Sequence, residues 1–64
     1  MEINKIYKHK SCIDVAFQIE SMNDKEDKLE LTGTWINVFY KFKIVEDEVI
    51  INKKDLNNWK EISL

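Results

Sequence analysis

A single glycine sits at the head of the most apolar stretch of this chain, and that pairing limits what the chain can fold into more than any other feature. The stretch runs Thr32-Gly-Thr-Trp-Ile-Asn-Val-Phe-Tyr-Lys-Phe-Lys-Ile-Val45 and holds Trp35, Phe39, Tyr40 and Phe42, four of the seven aromatic residues. Ile36, Val38, Ile44 and Val45 lie among them. Any core must be packed against it. Glycine inside a strand pattern marks a bulge or a sharp bend, so Gly33 is expected to interrupt a strand that starts at Leu29 and Leu31.

The parity of the apolar residues leads to the same place. Before Gly33 the odd positions are apolar. After it Ile36, Val38, Tyr40, Phe42 and Ile44 occupy the even ones. A bulge at Gly33 would switch the faces this way and make those five residues the core. Trp35 and Phe39 are then left on the opposite face. The alternative is a loop near Asn37 to Lys41 that resets the register.

The remaining segments read as short β-elements. Residues 1–10 are expected to form a short strand or an extended lead-in. Ile13, Val15, Phe17 and Ile19 alternate with polar or small residues, the period of two of a half-buried strand. Asn23-Asp-Lys-Glu-Asp-Lys28 has no apolar residue and reads as a solvated turn. Glu46-Asp-Glu48 is expected to be a tight hairpin turn between strands at Phe42–Val45 and Val49–Ile51. Asn52 is placed to cap one short helical turn. Leu56 and Trp59 are three apart, as a 3-10 turn would set them. A last short strand is expected from Trp59 to Ser63.

The whole chain, 1–64, is therefore expected to be one small all-β domain. Its order of four strands, one 3-10 turn and a final strand resembles a Src-homology-3-like five-stranded barrel. The second arrangement is a plain antiparallel sheet with a helix over 53–62, paired as a dimer. A chain of 64 residues buries only about 60% of its unfolded surface and gains from a staple. Cys12 is the only cysteine, so no internal disulfide supplies one, and a lone thiol suits a reducing compartment. The composition, 44% hydrophobic and 34% charged, is that of a globular protein. No apolar run is long enough to span a bilayer, and the first residues lack the apolar centre of a signal peptide. A cytoplasmic location is the expectation.

Chemistry-bearing groups are few. His9 and Cys12 have ligand-like spacing but no second pair, so no metal site is expected. They also do not form a nucleophile and base, because residues three apart on a strand point to opposite faces. One glycine makes no phosphate-cradling loop. No cofactor and no enzymatic activity are expected. The net charge is −2, and all ten basic residues are lysines, which removes the arginine fork best suited to phosphate and guanine. Nucleic-acid binding is still a reading to keep, since Tyr40-Lys-Phe-Lys43 interleaves aromatics with lysines and Lys53 and Lys54 add charge. The leading expectation is protein binding through Trp35, Asn37 and Phe39, of which Trp35 and Phe39 are aromatics left over once the core is filled. A third reading is self-association through an exposed strand edge.

Ile6-Tyr-Lys-His-Lys10, Asp14-Val-Ala-Phe-Gln-Ile19, the Trp35 and Asn37 stretch and the ending Asp55-Leu-Asn-Asn-Trp-Lys-Glu-Ile62 resemble small accessory proteins of bacteriophages and mobile elements. The resemblance implies no catalytic residues. It implies a bacterial protein as partner, in the host cytoplasm, bound and modulated or inhibited by this chain.

Overall fold

The computed structural model describes all residues from Met1 to Leu64. Five strands form one antiparallel sheet: β1 (Ile6–His9), β2 (Val15–Asp24), β3 (Lys28–Asn37), β4 (Lys43–Asn52) and β5 (Trp59–Ile62). A 3-10 helix over Lys53–Asn58 separates the last two. The order across the sheet is β4-β3-β2-β1-β5. β4 and β5 are the two edges and do not pair with each other, so the hydrogen-bonded sheet is open. No helix is long and apolar enough to cross a membrane.

The core lies on one face of the sheet. Tyr7, Phe17, Ile19, Leu29, Leu31 and Ile51 are buried together there, with Met22, Trp35, Val49, Leu56 and Trp59 packed against them. Phe17, Ile19, Leu29 and Leu31 follow the alternation read from the sequence, and each fully buried aliphatic or aromatic side chain stabilises by about 1.5–3 kcal/mol. On the opposite face Ala16 pairs with Ile36, and both are buried.

Gly33 does not bulge β3. The extra residue is Glu20 on the facing strand, between the pairs Ile19–Gly33 and Ser21–Thr32. β3 keeps one parity from Leu29 through Leu31 and Gly33 to Trp35. It is β2 that changes parity, from Phe17 and Ile19 to Met22. Glycine is required at 33 by close approach: a Cβ there would lie 2.0 Å from the Gln18 carbonyl oxygen and 2.9 Å from the Phe17 ring.

The expected hairpin at Glu46 to Glu48 is also overturned. Those three residues lie mid-strand in β4, paired with Thr34, Gly33 and Thr32. The chain reverses earlier, between Asn37 and Lys43, at the alternative loop position. Tyr40, Phe42 and Ile44 are consequently exposed, not core. Their alternation with Ile36 crosses a turn, so it is not the alternation of one strand. Ile44 is itself the extra residue of a second irregularity, between Trp35–Val45 and Ile36–Lys43. Of the five expected core positions only Ile36 is buried, and Val38 is half-buried.

Trp35 is not surplus. Its ring meets Phe17 edge-on, 5.0 Å between centroids at 61°. Its indole Nε1 donates to Asp47 Oδ2 at 2.9 Å. The C-terminal elements follow the sequence reading. Asn52 Oδ1 accepts from the Lys54 amide at 2.9 Å, capping the 3-10 helix. No helix extends over 53–62, because the chain turns extended again at Trp59.

Candidate interaction surface

The β3–β4 turn is held by backbone and by one side chain. Asn37 Oδ1 accepts from the amides of Phe39, at 3.0 Å, and Tyr40, at 2.9 Å. The Asn37 amide donates to the Phe42 carbonyl, and the Lys41 amide donates to the Asn37 carbonyl. Lys41 takes a left-handed φ of 61° to close the loop. The Val38 amide donates to the Asp14 carbonyl, which fastens the turn to the segment ahead of β2. An asparagine side chain that bonds amides two and three residues on is a standard turn device. It fixes the loop without apolar burial.

The large side chains on this turn and at the start of β4 face water. Phe39 is 64% exposed, Tyr40 79%, Phe42 52% and Ile44 47%. Tyr40 and Phe42 are stacked, 6.5 Å apart at 23°. Ile13, also exposed, precedes the Asp14 that holds Val38. These residues form one apolar end of the sheet.

The structure brings Asn37, Phe39, Tyr40, Lys41 and Lys43 together at this end. Trp35 sits apart, on the core face against Phe17. Asn37 spends its carbonyl on the turn. Lys53 and Lys54 follow the far end of β4, about 30 Å from Lys43 at the rise of a ten-residue strand. Lys53 Nζ is 2.6 Å from Asp24 Oδ1. Between the two lysine groups lie Glu46, Asp47 and Glu48. Phe42, Ile44 and Ile13 belong to the apolar end, although the sequence pattern does not single them out as binding residues. The one local signal, and for Phe42 alone, is Asn37 placed directly before Val38 to Phe42, which makes those residues a turn.

His9 is fully engaged. Its Nδ1 lies 2.7 Å from Ser11 Oγ and accepts from the Ser11 amide at 3.1 Å, which leaves the ring proton of a neutral imidazole on Nε2. Nε2 lies 3.1 Å from Asp55 Oδ2. The ring meets Trp59 edge-on, 5.0 Å between centroids. Asn58 Nδ2 donates to the other Asp55 oxygen. The Asp55 pKa is held below the ordinary carboxylate value, first by the Asn58 hydrogen bond, against some desolvation, then by His9 and the nearby Trp59 indole. That indole Nε1 is buried and makes no well-formed hydrogen bond.

Ser11, His9 and Asp55 thus stand in the order of a nucleophile, base and carboxylate relay. The concavities of the surface are lined by β2, β3 and β4 residues, and none opens at Ser11. The cluster is a clasp between β1 and the 3-10 helix. No group of three or more His, Cys, Asp or Glu side chains is arranged to hold a metal. No family model, curated protein or solved structure matches this chain.

Proposed function

We propose that this chain is a non-enzymatic protein-interaction module that works through the apolar end formed by Phe39, Tyr40, Phe42 and Ile44. One observation carries the reading: a turn tied down by Asn37, together with Ile44 at the start of β4, presents four large apolar side chains to water. Aromatics held on an already fixed backbone, which gain burial only in a complex, are what interfaces concentrate. The resemblance to phage and mobile-element proteins makes a bacterial protein the partner. We also read the architecture as Src-homology-3-like. Support comes from β1 lying between β2 and β5, from the 3-10 helix ahead of β5, and from the Glu20 bulge that bends β2.

The test is capture from nuclease-treated bacterial lysate by wild type and by a Tyr40→Ser/Phe42→Ser variant with an unchanged melting temperature. A protein retained by wild type alone supports the reading. Equal retention by both would sink it.

Nucleic-acid binding is the second reading. Its support is the stacked Tyr40–Phe42 pair interleaved with Lys41 and Lys43. Single strands bind by such stacking beside cations. The acids of β4 and the distance to Lys53 and Lys54 weigh against a continuous phosphate track. Failure to retain an oligonucleotide at low salt, where phosphate contacts are strongest, removes it.

A further inference from the structure

The free edge of β4 is the second feature of this molecule that calls for a partner. β4 has a neighbour on one side only, β3. Its other side offers the outward amides and carbonyls of alternate residues along about 30 Å, bonded to no other strand, and within this stretch the Glu48 amide donates to Asp47 Oδ1 at 2.8 Å. Natural edges are blunted by charged side chains, by proline, by bulges or by covering chain. This one carries acids along its middle and an extra residue, Ile44, near its start, devices that turn away a copy of itself.

The acids have no cationic partners. Lysine pairs exist with Glu61, Glu30 and Asp24, but no ammonium group lies within ion-pair distance of Glu46, Asp47 or Glu48. Glu20, raised on the bulge of β2, adds a fourth carboxylate and accepts a hydrogen bond from Thr34 at 2.8 Å. Glu20, Glu46, Asp47 and Glu48 line one shallow concavity with Thr32 and Gly33. On either side of the acids the edge is aliphatic: Val45 is 54% exposed and Ile50 66%.

A second copy of this chain is a poor occupant. Antiparallel pairing of β4 with itself along its full length sets Lys43 against Asn52, Val45 against Ile50, and Asp47 against Glu48 twice over. Like charges directly opposite destabilise a strand pair. The same row attracts a strand of opposite sign. We propose that the β4 edge accepts an extended peptide segment with lysine or arginine at its centre and aliphatic residues on both sides. The backbone ladder supplies affinity, and the carboxylates supply register and selectivity. The proposal rests on the chain being a protein-interaction module, and it gives the partner a chemistry: a basic β-strand that ends beside the aromatic turn.

The experiment uses the full chain, labelled with nitrogen-15, and a short capped peptide with central lysines flanked by valine and isoleucine. Controls are the same peptide with central glutamates and the lysine peptide with alternate amides N-methylated. At about 1 mM lysine peptide, alternate amides between Val45 and Ile50 should exchange with solvent about tenfold more slowly. The protection should weaken as salt is raised. Neither control peptide should give it, and a Glu46→Lys/Glu48→Lys variant should prefer the glutamate peptide. Shifts confined to side chains without amide protection would overturn the proposal. So would equal binding of the lysine and glutamate peptides, or a concentration-dependent dimer of the wild type at neutral pH. The Tyr40→Ser/Phe42→Ser variant should bind the lysine peptide like wild type, so failure at the aromatic turn and failure at the edge are read separately.

Discussion

Gly33→Ala is the sharpest perturbation of this fold. The added methyl would sit 2.0 Å from the Gln18 carbonyl oxygen, inside any allowed contact, and 2.9 Å from the Phe17 ring. The ring has some room to tilt. The carbonyl has little, because it belongs to a strand paired on both sides. Overpacking of this kind costs about 1–3 kcal/mol, and a rigid backbone contact belongs at the upper end. The substitution also returns about 0.4–1 kcal/mol by stiffening the unfolded chain. A net loss of about 2–2.5 kcal/mol then lowers the melting temperature by about 10–20 °C in a domain of this size. Small single-core domains rarely hold more than about 3–5 kcal/mol in total, so the variant should be largely unfolded well below the wild-type transition. Thermal melts followed by circular dichroism measure it, and in a Trp59→Phe background Trp35 fluorescence provides a local signal next to the site. A melting temperature equal to or above that of wild type would show that the sheet yields at Gln18. Close approach would then not be the reason for the glycine.

Lys41 occupies left-handed backbone, where a β-branched side chain is a genuine outlier. Lys41→Val should cost about 1 kcal/mol by denaturant titration, whereas Lys41→Gly should lose nothing, since relief of strain offsets a looser unfolded chain. Asp55 titrates below its ordinary range in the folded chain, so its contribution to stability is complete above that range and lost as pH falls through it. Asp55→Asn should flatten the acid limb of the stability profile, and a slope like that of wild type would count against the clasp. Trp59→Phe removes a buried N–H without a well-formed partner while keeping an aromatic edge for His9. Relief of the buried N–H offsets the lost ring volume, so stability should change by less than about 1.5 kcal/mol; a larger loss together with a raised Asp55 titration would mean that the indole does bond the carboxylate.

Local patterns carry much of the fold. Phe17, Ile19, Leu29 and Leu31 alternate because β2 and β3 each bury one face. Asn52, Leu56 and Trp59 are spaced for a cap, a 3-10 turn and a return to strand, and they do this work. The role of the glycine is hidden for a non-local reason. What Gly33 avoids is Gln18 and Phe17 on another strand, and parity along β3 contains no trace of either. The β3–β4 turn is hidden because its tip carries aromatics where turns usually carry polar residues, so the apolar period runs straight across it. Glu46 to Glu48 look like a turn for the mirror-image reason. An edge strand is free to carry charge where a central strand is not. Phe39 and the Tyr40 to Lys43 interleaving are visible as candidate contacts. Phe42 and Ile44 read as core because of the same run-on period.

The β1–β5 pairing has a mechanical consequence. Ile6 faces Ile62 and His9 faces Trp59, so the outermost rung of this ladder lies closest to both chain ends. A force applied at residues 1 and 64 first loads the ties of the lead-in, Glu2 to the Tyr7 hydroxyl and Asn4 and Lys5 to Ile19, and then the rungs of this ladder one after another. The bonds break in succession, as a zipper opens, and never share the load as strands pulled in shear do. The molecule should therefore yield to low tension along its own termini, even though the β2–β3–β4 ladder behind them, with its long registers, lies off the line of pull.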